Sequence, residues 1–448
     1  MWYEDKIMRT LRCRTIQKPG VLGRLLTVIG DLGGLTGEIK TILMGSSHVV
    51  RDIVIFADDA DHMTRLIQAV REFPEGELLE IRDEVMEMHQ GGKIAIRSRY
   101  EINTVSDLRK VYTPGVAEVS LKIQKNPALA RRFTSIRHMV AIVTDGSAVL
   151  GLGDIGPLAA MPVMEGKASL METLCGLSGV PILLNTKDVT AIVDTVAAIA
   201  PTFSAIQLED ISAPRCFEIE RRLQERVSIP VMHDDQHGTA VVVTAALMNA
   251  SRLTGISLDQ CRIGQVGLGA AGLAISKMLI HLTGRPVLGT DLVPDAVARL
   301  VEAGGQASSL KDIMAGCDVV IATTGAPGLI KPEMIRKGQI ILALSNPNPE
   351  IEPDKAREAG ASFAADGKLV NNVLGFPGIF RGAVDADVPR ITREMLLAAS
   401  RAIAEAAPAG EIVPNPLDRQ VHLRVARAVA RVALDQGLNR DDITGYFD

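Results

Sequence analysis

Two carboxylate pairs, Glu209-Asp210 and Asp234-Asp235, each follow a short apolar run, Ile206-Gln207-Leu208 and Ile229-Pro230-Val231-Met232-His233. Ligands of open α/β sheets gather at the carboxyl ends of the strands. Three or four acidic oxygens converging there repel one another unless a cation holds them, and hard oxygen donors select Mg²⁺ or Mn²⁺. The second pair has a competing use: Asp234 or Asp235 could cap a helix expected to start near Gly238, leaving the other for metal. Lys167, in Met164-Glu165-Gly166-Lys167-Ala168, adjoins an apolar stretch. In partly apolar, cation-rich surroundings such a lysine loses proton affinity and can act as a base, although most lysines are solvated surface charges. Tyr112, in Tyr112-Thr113-Pro114-Gly115, reads by itself as a packing residue.

A second chemical signal is Gly267-Leu268-Gly269-Ala270-Ala271-Gly272, set between the apolar run Ile263–Val266 and an apolar helical stretch through Leu279. The first glycine permits a tight turn, the second lets backbone approach a pyrophosphate, and the third lets helix pack on strand. Asp291 ends the next strand candidate and suits a ribose 2'-hydroxyl, while Leu292-Val293-Pro294 offers no base for a 2'-phosphate. NAD is therefore expected rather than NADP. The competing reading makes Asp291 a helix N-cap or turn residue.

These groups need strands to carry them. From Lys93 onward, apolar runs alternate with helical patterns: His138–Thr144, Pro181–Leu184, Ser204–Leu208, Ile229–Met232, Cys261–Val266, Pro286–Thr290, Val319–Ala322 and Gln339–Ala343. Buried parallel strands have this texture. The stretch before it is a different unit. Met8–Ile16, a helix Val21–Leu32 closed by Gly33-Gly34, Leu35–Leu43, His48–Phe56, a helix Ala60–Arg71 and Glu77–Glu84 give a βαββαβ order, the ferredoxin-like plan. Met88-His89-Gln90-Gly91-Gly92 reads as a linker.

Composition bounds the class. A chain of 448 residues holds roughly two to four domains. Apolar residues are 47% and aromatics 3%, so cores must rest on aliphatic side chains, which suits α/β layering. A net charge of -5 argues against a nucleic-acid or anionic-membrane partner. Five scattered cysteines without a C-x-x-C pair read as reduced thiols. The N-terminus, with Glu4, Asp5 and Lys6, has no signal-peptide core, and the apolar stretch Ala240–Met248 is too short for a bilayer. A soluble, cytoplasmic protein is expected.

Read together, several strings resemble the malic enzymes, specifically the short bacterial type, from about Lys93 to the end. They are Asp107–Ala117, Thr144–Asp154, Pro162–Ala168, Leu208–Ile211, His233–Ala240, Ser345-Asn346-Pro347, Val370–Val373 and Phe376–Ala383. The N-terminal segment resembles an ACT domain, a small-ligand regulatory module, through Lys18-Pro19-Gly20-Val21-Leu22 and the Gly33-Gly34 helix end. The resemblance implies residues 1–87 as an ACT-like domain, 88–236 as the catalytic metal and substrate domain, and 237–448 as a Rossmann-type NAD-binding domain with C-terminal helices.

It also implies roles. Lys167 would take the proton from the malate C2 hydroxyl, and Tyr112 would protonate C3 of the enolate left by CO₂. Glu209, Asp210 and Asp235 would hold Mg²⁺ or Mn²⁺. Asn346, Asn371 and Asn372 would touch substrate or the nicotinamide end. Malate would be substrate, a small effector would bind near Gly20 and Gly33-Gly34 unless that unit only mediates assembly, and the protein would be a homo-oligomer, a dimer or larger. Eukaryotic malic enzymes have an arginine at the place of Ala148, so the distal malate carboxylate needs another cation, with Lys187 and Arg381 as candidates. Asn185 replaces a usual aspartate, and the loop Ala364–Lys368 is short for the type. The alternatives are an NADP-linked or malate-to-lactate enzyme, and, in another class, a metabolite sensor without activity. The joint retention of Tyr112, Lys167 and the three acids argues against the last.

Overall fold

The computed structural model describes residues 6–149, 151–368 and 370–446; Glu4 and Asp5 of the polar N-terminus and Leu150 of the Thr144–Asp154 string lie outside them. No helix among the described residues is long and apolar enough to cross a membrane. The chain divides into two compact units between Ala95 and Ile96.

In the first unit, β1 (Ile7–Ile16), β2 (Leu35–Met44), β3 (His48–Ala57) and β4 (Gly76–Arg82) form an antiparallel sheet in the order β2-β3-β1-β4. Alternation along β1 and β3 sends Leu11, Ile53 and Ile55 to one face, where they meet Leu25, Ile29 and Leu66 of the helices Val21–Asp31 and Ala60–Arg71. The expected βαββαβ order is present. Gly34 is where helix and sheet come closest, since a Cβ there would lie 2.8 Å from both Ile29 and Leu66 side chains. Two details differ from expectation. β4 stops at Arg82, short of Glu84, and the start of the expected linker is helical over Glu84–His89. The Asp83 side chain accepts from the Met86 amide and starts that helix.

The second unit has two parallel sheets. β5 (Met139–Thr144), β6 (Ser178–Leu183), β7 (Ala205–Leu208) and β8 (Val231–His233) lie in the order β6-β5-β7-β8. β9 (Ile263–Val266), β10 (Leu288–Thr290), β11 (Gln306–Ala307), β12 (Val319–Ala322), β13 (Ile340–Ala343) and β14 (Phe363–Asp366) run β11-β10-β9-β12-β13-β14, the doubly wound order of dinucleotide-binding sheets. Its switch point falls beside β9, whose end carries the glycine string.

β11 and β14 are additions to the expected strands. β11 is only two residues long, and Phe363-Ala364-Ala365-Asp366 is poor in β-branched residues, so neither advertises itself. A helix over Asp234–Thr254 follows β8 without a break, so it starts before Gly238 and runs through the 236/237 domain boundary. The C-terminal helices return to the first sheet's side: Arg131 donates to the Val384 carbonyl at 2.9 Å and Arg381 to the Cys175 carbonyl at 3.1 Å. The five cysteines are free and buried.

Candidate active site

The ends of β7 and β8 bring the acidic pairs together. One carboxylate oxygen from each of Glu209, Asp210 and Asp235 lies within 4.8 Å of the others. The Asp210 amide donates to Asp235 Oδ2 at 3.0 Å, tying the two strand ends. Asp210 sits at φ 54, a left-handed conformation that costs a non-glycine residue about 1 kcal/mol or more and is held here by neighbouring structure. Its Oδ2 is buried and has no hydrogen-bond partner. Burial, then repulsion from Glu209 and Asp235, pushes the Asp210 carboxyl up to about 8. Burial also moves Asp235 up to about 6 and raises Glu209. An oxygen-only donor set, mutually repelling and with an orphaned oxygen, fits a hard divalent cation.

Lys167 reaches the same place from the helix Pro157–Cys175. Its Nζ lies 2.5 Å from Asp234 Oδ2 and 3.0 Å from Glu209 Oε1, and 4.4 Å from the centre of the Phe376 ring. Among the described residues the lysine stands between carboxylates rather than beside other cationic side chains. Burial alone would lower its proton affinity, but Asp234 and Glu209 outweigh it and the pKa is raised. This corrects the sequence expectation.

Asp234 is not the helix cap, nor is Asp235: His233 occupies that position without a side-chain bond. Asp234 is instead the fully buried partner of Lys167, and Asn372 Nδ2 donates to the same oxygen at 3.1 Å. A Cβ on Gly238 would lie 1.9 Å from Asp234 Oδ1, so that glycine makes room for the carboxylate. The start of this helix is held by Glu220, which accepts from the His233 amide at 2.8 Å and lies 3.0 Å from His237 Nε2. Glu220 and Phe376 escape the sequence reading of roles, because neither side chain's destination is written in its local string.

On the second sheet, Gly267 has φ 86, and a Cβ there would lie 2.6 Å from the Thr323 carbonyl oxygen. A Cβ on Gly272 would lie 2.0 Å from the Gly267 carbonyl oxygen. Gly269 faces open space, as close approach of a pyrophosphate requires. Leu268 follows that first glycine, and Ala270 and Ala271 open the helix Ala270–Thr283. Asp291 accepts from the Leu268 amide at 2.6 Å and the Val293 amide at 2.9 Å, so it does serve a turn, while bracing the glycine loop. Asn346 follows β13 and is half-buried. The fully buried Glu350 braces the adjacent loops, accepting from the Thr324 amide at 2.6 Å, Thr324 Oγ1 at 2.8 Å and Ser345 Oγ at 2.5 Å.

Other expected residues stand elsewhere. Asn371 is exposed and caps a short turn by accepting from the Val373 amide, so of the asparagine pair only Asn372 bonds to the cluster. Lys187 is paired with Asp154, and Arg381 with Asp385 at 2.7 Å. Tyr112 is 65% exposed, at the end of the helix Val105–Val111, and no hydrogen bond links it to Lys167 or the acids. That helix and the next, Gly115–Lys125, bury none of their residues.

Residues 92–224 match the family "Malic enzyme, N-terminal domain". The chain is 53% identical to the NAD-dependent malic enzyme 1 of Bacillus subtilis (strain 168), over 96% of this chain and 98% of that protein. It is 42% identical to the NAD-dependent malic enzyme of Geobacillus stearothermophilus, over 94% of each. The crystal structure of malic enzyme from Pyrococcus horikoshii OT3 superposes with a TM-score of 0.77 at 37% identity, covering 81% of this chain and 93% of that one.

Proposed function

The chain belongs to the malic enzyme family, and from that membership we propose that it oxidatively decarboxylates L-malate to pyruvate and CO₂ with NAD and a divalent metal ion. The observation that carries this reading is the Lys167 ammonium lodged against Glu209 and Asp234, beside three carboxylates grouped within 4.8 Å. NAD would accept the hydride, and Mg²⁺ or Mn²⁺, held by Glu209, Asp210 and Asp235, would strengthen the electron sink that oxidation creates at C2.

The protein's own groups do the rest. Lys167 takes the proton of the C2 hydroxyl. Neutralising the surrounding carboxylates is what would bring its raised proton affinity down toward that task. Asn372, fixed by Asp234, and Asn346 orient substrate and nicotinamide, and Tyr112 gives the proton to C3. Asp291, at the end of β10, takes the ribose hydroxyl and disfavours a 2'-phosphate.

The N-terminal unit is read as an ACT domain. A cavity of about 500 Å³ there is lined by Thr15, Lys18, Gly20, Val49 and Arg51 among others. Its two cations suit a small metabolite with a carboxylate. The reduced, buried thiols suit the cytoplasm.

The deciding experiment measures malate-dependent reduction of NAD against NADP, with Mn²⁺ or a chelator, while assaying pyruvate and lactate. NADH and pyruvate should appear together and vanish with the chelator, and Lys167→Ala should lower kcat about 10²- to 10⁴-fold. Lactate without NADH, or an unaffected Lys167→Ala enzyme, would refute the reading.

A further inference from the structure

Asp210 combines a left-handed backbone with a buried carboxylate set close to Glu209 and Asp235, and both features work against it. A residue other than glycine stays in that conformation only where its surroundings over-determine it. Three bonds do so. The Asp210 amide donates to Asp235, the Ala148 amide donates to the Asp210 carbonyl at 2.9 Å, and the Ser212 amide donates to Ser147 Oγ at 3.0 Å. Two of the three come from the loop after β5, so the backbone of Asp210 depends on what fixes Ser147 and Ala148.

That loop is fixed by Arg215, the first residue of the helix Arg215–Arg226. Its Nη1 donates to Asp145 Oδ2 at 2.8 Å and to the Lys187 carbonyl at 2.9 Å. Its Nη2 donates to Ser147 Oγ and to Ser212 Oγ, both at 2.9 Å. Ser147 Oγ in turn donates to Asp145 Oδ1 at 2.5 Å, and the Asp145 side chain is fully buried. One guanidinium thus ties together the loops after β5, β6 and β7. Its terminal N–H groups are all engaged, which leaves none of them for a malate carboxylate. A lysine, with its donors on a single nitrogen, could not span the same partners.

We propose that Arg215 is a positioning residue for the metal site. Through Ser147 and Ala148 it holds Asp210 in the conformation that keeps its carboxylate beside Glu209 and Asp235, and so raises affinity for the divalent cation without touching it. The inference rests on the reading of those three acids as metal ligands.

The test uses full-length chains carrying Arg215→Lys, which keeps the charge opposite Asp145, and Ser147→Ala, which removes the relaying hydroxyl. Mn²⁺ binding is measured by titration calorimetry without malate or NAD, and NADH binding by fluorescence. Each variant should bind Mn²⁺ about 10- to 100-fold more weakly and NADH as the wild type does. The double variant should be no weaker than the weaker single one, because both changes break one relay. At saturating Mn²⁺, kcat should return toward the wild-type value with KM for malate unchanged. Unaltered Mn²⁺ affinity in either variant overturns the proposal, as do losses that multiply in the double variant. So does a KM for malate that stays high at saturating Mn²⁺, which would make the guanidinium a substrate contact. Loss of NADH binding together with Mn²⁺ would show a general structural role and overturn it too. A wild-type protein that takes up no Mn²⁺ would instead refute the metal site itself.

Discussion

Asp210 and Asp235, with carboxyls at about 8 and about 6 against an ordinary 3.8, make the cluster a source of instability at neutral pH. Their folded-state pKa values are raised, so their contribution to stability is complete below the unfolded value and is lost as pH rises through 6 and then 8. A divalent cation removes that loss. The increase in Tm on adding Mn²⁺ should therefore widen between about pH 5 and about pH 8, as followed by thermal melts; an increase independent of pH would contradict the assignment of these acids as ligands. Gly238 allows a sharper test on a neighbouring atom. Alanine there would drive a methyl to within 1.9 Å of Asp234 Oδ1. Gly238→Ala should cost about 1–3 kcal/mol through overpacking and lower kcat by displacing the carboxylate that holds Lys167. Wild-type turnover in a folded Gly238→Ala enzyme would show that Asp234 has freedom the packing does not suggest.

The loops after β12 and β13 are held by one buried carboxylate. Glu350 Oε1 accepts from the amide and hydroxyl of Thr324 and the hydroxyl of Ser345, and its Oε2 from the Ser345 amide at 3.3 Å, so an amide in its place would turn an NH₂ group toward one of these donors. Glu350→Gln should destabilise by about 1–3 kcal/mol and raise KM for NAD more than KM for malate; steady-state kinetics and melts read both. The strands bearing the acids are legible in the sequence because compact apolar runs lead directly into charged residues, as at Leu208-Glu209-Asp210. The choice between Asp234 and Asp235 is not, since consecutive helical positions point about 100° apart and only the packed neighbours decide which meets Lys167. Likewise, Glu220 arrives from a helix whose own periodicity announces nothing about the turn it steadies. Tyr112 is recognisable by its string, yet nothing in that string says which residues it meets, and it ends a helix that buries none of its own.

At the scale of the molecule, the two units divide the labour between separate cores. Leu11, Leu25, Ile29, Ile53, Ile55 and Leu66 close the first around its own sheet. The second unit's sheets are buried by its own helices, with Ile192, Val196 and Ile219 over the β5–β8 sheet and Ile313, Met314 and Ala356 against the β9–β14 sheet. The break between Ala95 and Ile96 also lies before Tyr112 and every other residue assigned to catalysis. A chain beginning at Ile96 should therefore fold, bind Mn²⁺ and oxidise malate at a kcat close to that of the full-length enzyme. What it should lose is any response to an anionic effector held by Lys18 and Arg51. The comparison is a set of malate saturation curves for both chains, over a panel of amino acids and acyl metabolites. Had the first unit only an assembly role, truncation would alter sedimentation while neither chain responded to the panel. An inactive but folded truncation would instead mean that residues 1–95 reach into the chemistry, which their separate core gives no reason to expect.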